Sequence, residues 1–197
     1  MYLDKMKFTL ILVILISFII TFLITPLWIR RAVRAGLVGK DMNKFEKKDV
    51  AEIGGIPVIS GFLAGVLAYL AIKTFYFKGT DNVIEIFALI SVVLIISLIG
   101  LVDDILGWKI GLRQRQKPFL CLLAAVPLMV INAGHSIISL PLIGSIDLGI
   151  LYPLLFVPIA VSGASNGFNM LAGYNGLEAG MGAIILAVLG IATYPTS

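Results

Sequence analysis

Residues 84–104 read IEIFALISVVLIISLIGLVDD, an apolar run from Ile84 to Val102 that ends on two adjacent aspartates, Asp103 and Asp104. As a helix, a run of this length crosses the roughly 30 Å hydrocarbon core of a bilayer. The aspartates therefore stand at the edge of a membrane span. A carboxylate drawn into hydrocarbon costs several kcal/mol, so an acidic pair at such an edge is a candidate site. Side by side the two repel, and a cation, a cationic substrate group or water must relieve them. The pair also fits a solvated loop start that merely ends the span, and these residues alone leave both readings open.

The composition around this run agrees with a membrane location. Of 197 residues, 59% are apolar and 13% charged, and the mean hydropathy is +1.06; soluble domains run nearer a quarter charged. The net charge of +4 is no nucleic-acid signature. The single cysteine, Cys121, lies inside an apolar run and excludes an intrachain disulfide.

Six apolar segments follow one another: Phe8–Ile29, Ile56–Ile72, Ile84–Val102, Phe119–Ile131, Leu148–Gly163 and Met181–Tyr194. The first holds 22 uncharged residues, more than a signal-peptide core, and lacks a small-residue cleavage site, so a retained helix is expected. The last three are short for isolated spans, but their turn-rich, charge-poor flanks favour six helices. The expected fold is an all-α polytopic helical bundle of about six transmembrane helices, a single integral membrane domain over residues 1–197.

Lysine and arginine counts orient the bundle. The first connection carries seven (Arg30, Arg31, Arg34, Lys40, Lys44, Lys47, Lys48) and the third carries four (Lys109, Arg113, Arg115, Lys117). The second has Lys78, with Lys73 just inside it, and the fourth has none. Odd connections therefore lie in the cytoplasm of a multi-pass cell-membrane protein, which gathers Lys40–Glu52, Asp103–Lys117 and Asn166–Glu178 on the cytoplasmic face. On the other face, ISLPLIGSIDL (Ile138–Leu148) alternates weakly around Gly144-Ser145 and suggests a short β-hairpin. His135 lies on that side, away from the other candidates.

Asn166, Asn169 and Gly173 fall at i, i+3 and i+7, one stripe of a helix, with Asn175 and Glu178 following at the loop. Buried amides must find partners, so Asn166 by itself is equally interhelical glue. The cluster of three asparagines and a glutamate offers the hard oxygen donors that suit Mg²⁺. Lys40, Arg113, Arg115 and Lys117 could hold phosphate charge on the same side, although each also serves as an orientation signal. Gly54-Gly55-Ile56-Pro57 reads either as a helix start or as a close approach to a ligand, and Gly61-x-x-x-Gly65 as a helix-packing seam.

GKDMNK (Gly39–Lys44), GLVDD (Gly100–Asp104), RQKP (Arg115–Pro118) and NGFNMLAGYNGLEAG (Asn166–Gly180) together resemble the polyprenyl-phosphate N-acetylhexosamine-1-phosphate transferases. That family includes the dolichyl-phosphate enzyme that starts protein N-glycosylation, its archaeal relatives, and bacterial enzymes that load undecaprenyl phosphate. The NGLEAG wording and Glu52 are closer to the dolichyl-type branch. The resemblance implies transfer of N-acetylglucosamine 1-phosphate from UDP-N-acetylglucosamine to dolichyl or undecaprenyl phosphate in the bilayer, with release of UMP. It implies Mg²⁺ (or Mn²⁺) as cofactor, no nucleic-acid partner, and compatibility with a homodimer.

Residue by residue, the resemblance makes Asn169 a Mg²⁺ ligand and Asp103 and Asp104 the pair that deprotonates or positions the lipid phosphate. Lys117 corresponds to a phosphate contact and Asn166 to the sugar-phosphate region. Asn175 and Glu52 correspond to positions around uridine and sugar, and Glu178 joins the substrate-binding group. The family fold has about ten transmembrane helices, and its later part supplies a further aspartate and a His/Arg-rich loop. The sequence is therefore expected to be the N-terminal part of a transferase; a non-catalytic remnant or subunit and a small transporter with an Asp-lined path are the alternatives.

Overall fold

The structure, a computed structural model, describes residues 2–110, 112–113, 116–140, 144–171 and 173–193. Helix α1, Tyr2–Arg34, has 33 residues and is about 50 Å long at 1.5 Å per residue. It is longer than the hydrocarbon core is thick, and its last turn is basic, with Arg31 and Arg34.

A short antiparallel hairpin follows, β1 (Val38–Lys40) with β2 (Asp49–Ala51), pairing Val38 with Ala51 and Lys40 with Asp49. Helix α2, Gly55–Ala71, then returns along α1. Gly61 faces Ser17 and Thr21, and Gly65 faces Ser17 and Val13; a Cβ at Gly65 would lie 3.0 Å from the Val13 carbonyl oxygen. The advance of α2 against the retreat of α1 makes the pair antiparallel. The expected small-residue seam is therefore present, and it allows the two backbones to approach closely. Gly54 precedes the first helical residue, so GGIP is a helix start.

A π-helical turn, Ile72–Tyr76, extends α2, and α3 runs over Val83–Ile110. The fourth apolar segment, expected as one span, is two helices: α4 (Gln116–Ala124) and α5 (Val126–Ile131). Pro127, near the start of α5, has no N–H to continue the ladder of α4. The break sits where Cys121, Ala124 and Ala125 are buried.

The expected hairpin in Ile138–Leu148 is present as β3 (Ile137–Leu140) paired antiparallel with β4 (Gly144–Asp147); residues 141–143 between them lie outside the described set. A second π turn, Tyr152–Phe156, leads into α6, Val157–Met170. Helix α6 packs against α4, and the Ser162 hydroxyl donates to the Pro118 carbonyl at 3.1 Å. Helix α7, Leu177–Ala192, begins earlier than the expected Met181 and has no buried residue. The expected end of that segment, Tyr194, lies outside the described residues.

Among the described residues, three helical stretches are long and apolar enough to cross a membrane: Phe8–Arg34, Gly55–Tyr76 and Val83–Leu106. Large apolar side chains such as Phe18 and Phe22 on α1 and Leu186 and Ile191 on α7 stand exposed, a costly surface in water and an ordinary one in lipid. The molecule is an all-α polytopic membrane protein with two small hairpins, one on each side.

Candidate functional site

Helix α3 carries Asp103 and Asp104 to the end of the bundle near the start of α4, and the two aspartates differ there. Asp103 is engaged twice: it accepts the Leu112 backbone N–H at 2.9 Å and forms an ion pair with Lys117. It thereby ties the end of α3 to the start of α4. Asp104 makes no hydrogen bond or salt bridge among the described residues, and its side chain is exposed. Successive helical residues point about 100° apart, so one carboxylate turns to the α3–α4 connection while its neighbour stays available.

Both aspartates line two cavities, and a third of about 400 Å³ between α2 and α3 reaches Asp104 alone. A small one of about 210 Å³ lies between α3, α4 and α6 and brings Asp103, Asp104 and Lys117 together with Asn166 and Asn169. A wider cleft of about 980 Å³ opens toward the β1–β2 hairpin, where Lys40 and Glu52 join Asp103, Asp104 and Lys117. Three separate segments of the chain thus converge. Asn169 lines the small cavity, and its side chain makes no hydrogen bond among the described residues. Asn166 is partly occupied: its amide donates to the Ser162 carbonyl at 2.8 Å and lies 3.3 Å from the Ser162 hydroxyl. That bond ties α6 to itself and is not an interhelical contact.

The hairpin supplies the far wall. Glu52 is held by its backbone: its N–H donates to Leu37 at 3.0 Å and its carbonyl accepts the Trp28 indole N–H at 3.1 Å. A Cβ at Gly39 would collide with the Glu52 carboxylate, so glycine is what allows that side chain to lie across the hairpin. Lys40, a candidate phosphate holder, pairs with Asp49 at 2.5 Å across the hairpin.

Other candidates stand elsewhere. Helix α6 ends at Met170, so Gly173 belongs to the α6–α7 loop and not to the helical stripe with Asn166 and Asn169. Glu178 is in the first turn of α7, not the loop, and lines neither cavity. Arg113 serves through its backbone at the start of α4, where its N–H donates to the Gln116 side chain at 2.8 Å. Arg115 lies outside the described residues. His135 is on the opposite side, in an apolar pocket of about 440 Å³ beside Met129 and Pro153.

Asn175 lines neither cavity and instead meets Asp41, within the GKDMNK stretch. Its amide donates to both carboxylate oxygens of Asp41, at 3.3 and 3.1 Å. Asp41 is buried, a rare state for an aspartate, and it sits between the cleft-lining Lys40 and Met42. Burial opposes its ionisation, but the Asn175 amide, Lys44 and the Asn43 backbone N–H together outweigh that and hold its carboxyl below the ordinary value. An acidic residue inside an otherwise basic connection was the available signal.

For a divalent cation, the donors present are carboxylate and amide oxygens. Among the described residues no three of His, Cys, Asp and Glu come close enough to hold a metal, so protein carboxylates alone form no closed cage. Asp104 and Asn169 on one cavity, both without hydrogen-bond partners among the described residues, fit the sparse protein coordination typical of Mg²⁺, which keeps waters and substrate phosphates as its other ligands.

This geometry defines a class: a polytopic membrane protein with a carboxylate, amide and lysine site at one end of its helices. The chain belongs to glycosyl transferase family 4, whose model matches residues 86–197. A Saccharolobus solfataricus protein provisionally named UDP-N-acetylglucosamine–dolichyl-phosphate N-acetylglucosaminephosphotransferase is 43% identical over 179 residues, covering 91% of this chain and 52% of that relative. A Sulfolobus acidocaldarius protein with the same provisional name is 37% identical over 190 residues, 95% of this chain and 56% of that relative. A Dictyostelium discoideum protein named for the same activity is 32% identical over 168 residues, 77% and 40% of the two chains. The chain spans about half the length of the curated relatives it matches.

Proposed function

We propose that this chain contributes the acceptor end of a phospho-N-acetylhexosamine transferase. In the reaction, an oxygen of a membrane polyprenyl phosphate attacks the β-phosphorus of UDP-N-acetylglucosamine. The bond from that phosphorus to the bridging oxygen breaks, and its electron pair leaves with UMP. The observation that carries this reading is the convergence of Asp103, Asp104 and Lys117 with Asn166 and Asn169 on one cavity, at the end of an apolar bundle. A lipid phosphate and a soluble nucleotide can meet only at such an edge.

Both partners are anions, so catalysis is mainly positioning and charge neutralisation. Lys117, half-buried and aligned by Asp103, supplies fixed positive charge over the cavity. Asp104, lacking such a partner, is the group able to orient or deprotonate the acceptor phosphate. Mg²⁺, or Mn²⁺ in its place, would be held by Asp104 and Asn169 and would neutralise diphosphate charge. Glu52 and Lys40 face the cleft on the donor side, and dolichyl phosphate, the lipid in the relatives' names, is the favoured acceptor over undecaprenyl phosphate.

We place the site on the cytoplasmic face of the cell membrane, because both basic connections are on its side. A cysteine replacing Lys47 should resist a membrane-impermeant thiol reagent in intact cells and one replacing His135 should react; the reverse pattern would invert the topology. For the reaction, full-length protein with dolichyl phosphate, UDP-N-acetylglucosamine and Mg²⁺ should release UMP and stop when the cation is chelated. Lipid-independent UMP release would rule the proposed acceptor role out.

A further inference from the structure

Among the described residues, four other than glycine carry a positive φ: Lys47, Ile53, Lys78 and Asn82. Lys47, Lys78 and Asn82 are exposed, whereas Ile53, at +59°, is buried. A left-handed backbone is uncommon for any side chain and a genuine outlier for a β-branched one. It persists only where the surroundings over-determine it. They do so here. Glu52, just before, is fixed by its N–H to Leu37 and by its carbonyl to Trp28. Just after, the Ile53 carbonyl accepts the Ile56 N–H at 3.3 Å at the start of α2. The chain turns from hairpin to helix at this residue.

A less strained arrangement lies next door. Gly54 and Gly55 follow immediately, and a Cβ at either would meet nothing within 4 Å. Glycine takes a positive φ at no steric cost, yet Gly54 has an ordinary φ of −62° and the strain falls on isoleucine. What isoleucine brings to the position is its side chain. Ile53 and Asp104 are the two residues that line both the wide cleft and the cavity between α2 and α3. Ile56, Ile59, Leu94 and Leu98 wall that cavity, and the Ser60 and Ser97 hydroxyls turn back on their own helices, donating to the Ile56 and Val93 carbonyls at 2.8 and 2.6 Å. Ile53 thus borders the polar cleft on one side and an apolar cavity on the other, at the carboxylate.

We infer that Ile53 is a positioning residue, a strained and buried spacer that sets the separation between the hairpin wall, with Glu52, and Asp104 on α3. What it positions, donor wall against acceptor carboxylate, rests on the proposed function. Transfer between two bound anions depends on how they are held, and a displacement of about 1 Å can cost up to about 100-fold. A side chain with no polar atom would then govern the rate through distance alone.

The test uses full-length protein with Ile53 replaced by valine, alanine or glycine. It reads melting temperature, UMP release, and the distance distribution between spin labels replacing Val50 on the hairpin and Ile105 beside Asp104, both exposed. Glycine relieves the backbone and removes the spacer. Ile53→Gly should therefore melt no lower than Ile53→Ala, although it buries less. It should nevertheless broaden the distance distribution and lower turnover at least about tenfold. Ile53→Val, still β-branched and one methylene smaller, should keep the distribution narrow and turnover within about twofold. A side chain that only packs would move stability and turnover together; a spacer separates them.

Unchanged distance and turnover in Ile53→Gly would overturn the inference. So would melting of that variant well below Ile53→Ala, since residue 53 would then carry no left-handed strain. Should the alanine and glycine variants both fail to fold, Ile53→Leu decides: the same volume with its branch moved outward should shift the distance, and an unshifted one removes the spacer. Failure of the unaltered protein to release UMP would defeat the transferase reading and leave distance and melting to decide the spacer.

Discussion

The two hairpins are built alike and used differently. Each is a pair of short antiparallel strands joining helices, and each has an aspartate near its end whose carboxyl is held below the ordinary 3.8. In the β3–β4 hairpin the hydrogen bonds among the described residues are local: Asp147 accepts the Gly149 N–H at 2.9 Å, Ser139 and Ser145 share a hydroxyl contact at 3.1 Å, and the residues of β4 are exposed. In the β1–β2 hairpin the bonds run far along the chain, from Trp28 to Glu52, from Asn43 to Gly173 and from Asn175 to Asp41. Local bonds stabilise a hairpin where it stands. Distant ones hold it against another element, and ordering costs of order 1–2 kcal/mol per residue are spent that way where relative position matters. The second kind of hairpin borders the wide cleft.

The largest effect should come from Asp104, which of the two carboxylates shared by cleft and cavity is the one without an ion-pair partner among the described residues. In the full-length protein, Asp104→Asn should lower UMP release at least about 100-fold with little change in melting temperature. Asp103→Asn should instead cost about 1–2 kcal/mol of stability, because it weakens the tie to Lys117 and Leu112. Equal and slight effects on turnover from both would return the pair to a simple loop start.

Next in size is the hairpin wall. Gly39→Val forces the Glu52 side chain to move, and a displacement of about 1 Å at a positioning group can cost up to about 100-fold. Turnover should fall at least about tenfold, while Ser145→Val in the other hairpin leaves it within about twofold. Comparable losses from both would erase the distinction between the hairpins.

Acidification separates them more gently. Asp41 has a lowered value in the folded protein, so its contribution is present above the ordinary value and lost as pH falls through the lowered one. Spin labels on Met42 and Tyr174, both exposed, should show a narrow distance distribution at neutral pH that broadens well below pH 3.8. A distribution already broad at neutral pH would mean that the Asp41–Asn175 contact does not hold. Smallest of all, Ser139→Ala should shift stability by no more than about 0.5 kcal/mol and leave turnover unchanged.

Much of the site could be read from residues in order. Asp103 and Asp104 end an apolar run, and Asn166 and Asn169 share a helical face, so spacing alone places them. Local pattern did not reveal what depends on distant partners. Three-residue strands such as Val38–Lys40 have too little alternation to register, and Asp41 becomes buried only when Asn175 arrives from far along the chain. Gly173 fits a helical stripe by number, yet the helix ends at Met170, three residues earlier. Pro127 could have warned of the break between α4 and α5, but a proline inside an apolar run is tolerated often enough in membranes to be passed over.

One modest bond has a wider consequence. The Trp28 indole, near the end of α1, donates to the Glu52 carbonyl. Tryptophan settles at the boundary between headgroups and acyl chains, so the residue that registers α1 against the bilayer also bears the wall of the cleft. The hairpin works as a depth gauge: its height above the oil is set by the helix that enters it. Under the proposed function, a phosphate on a lipid carrier would share that reference plane with the hairpin wall, and a bilayer of different thickness would raise or lower both together.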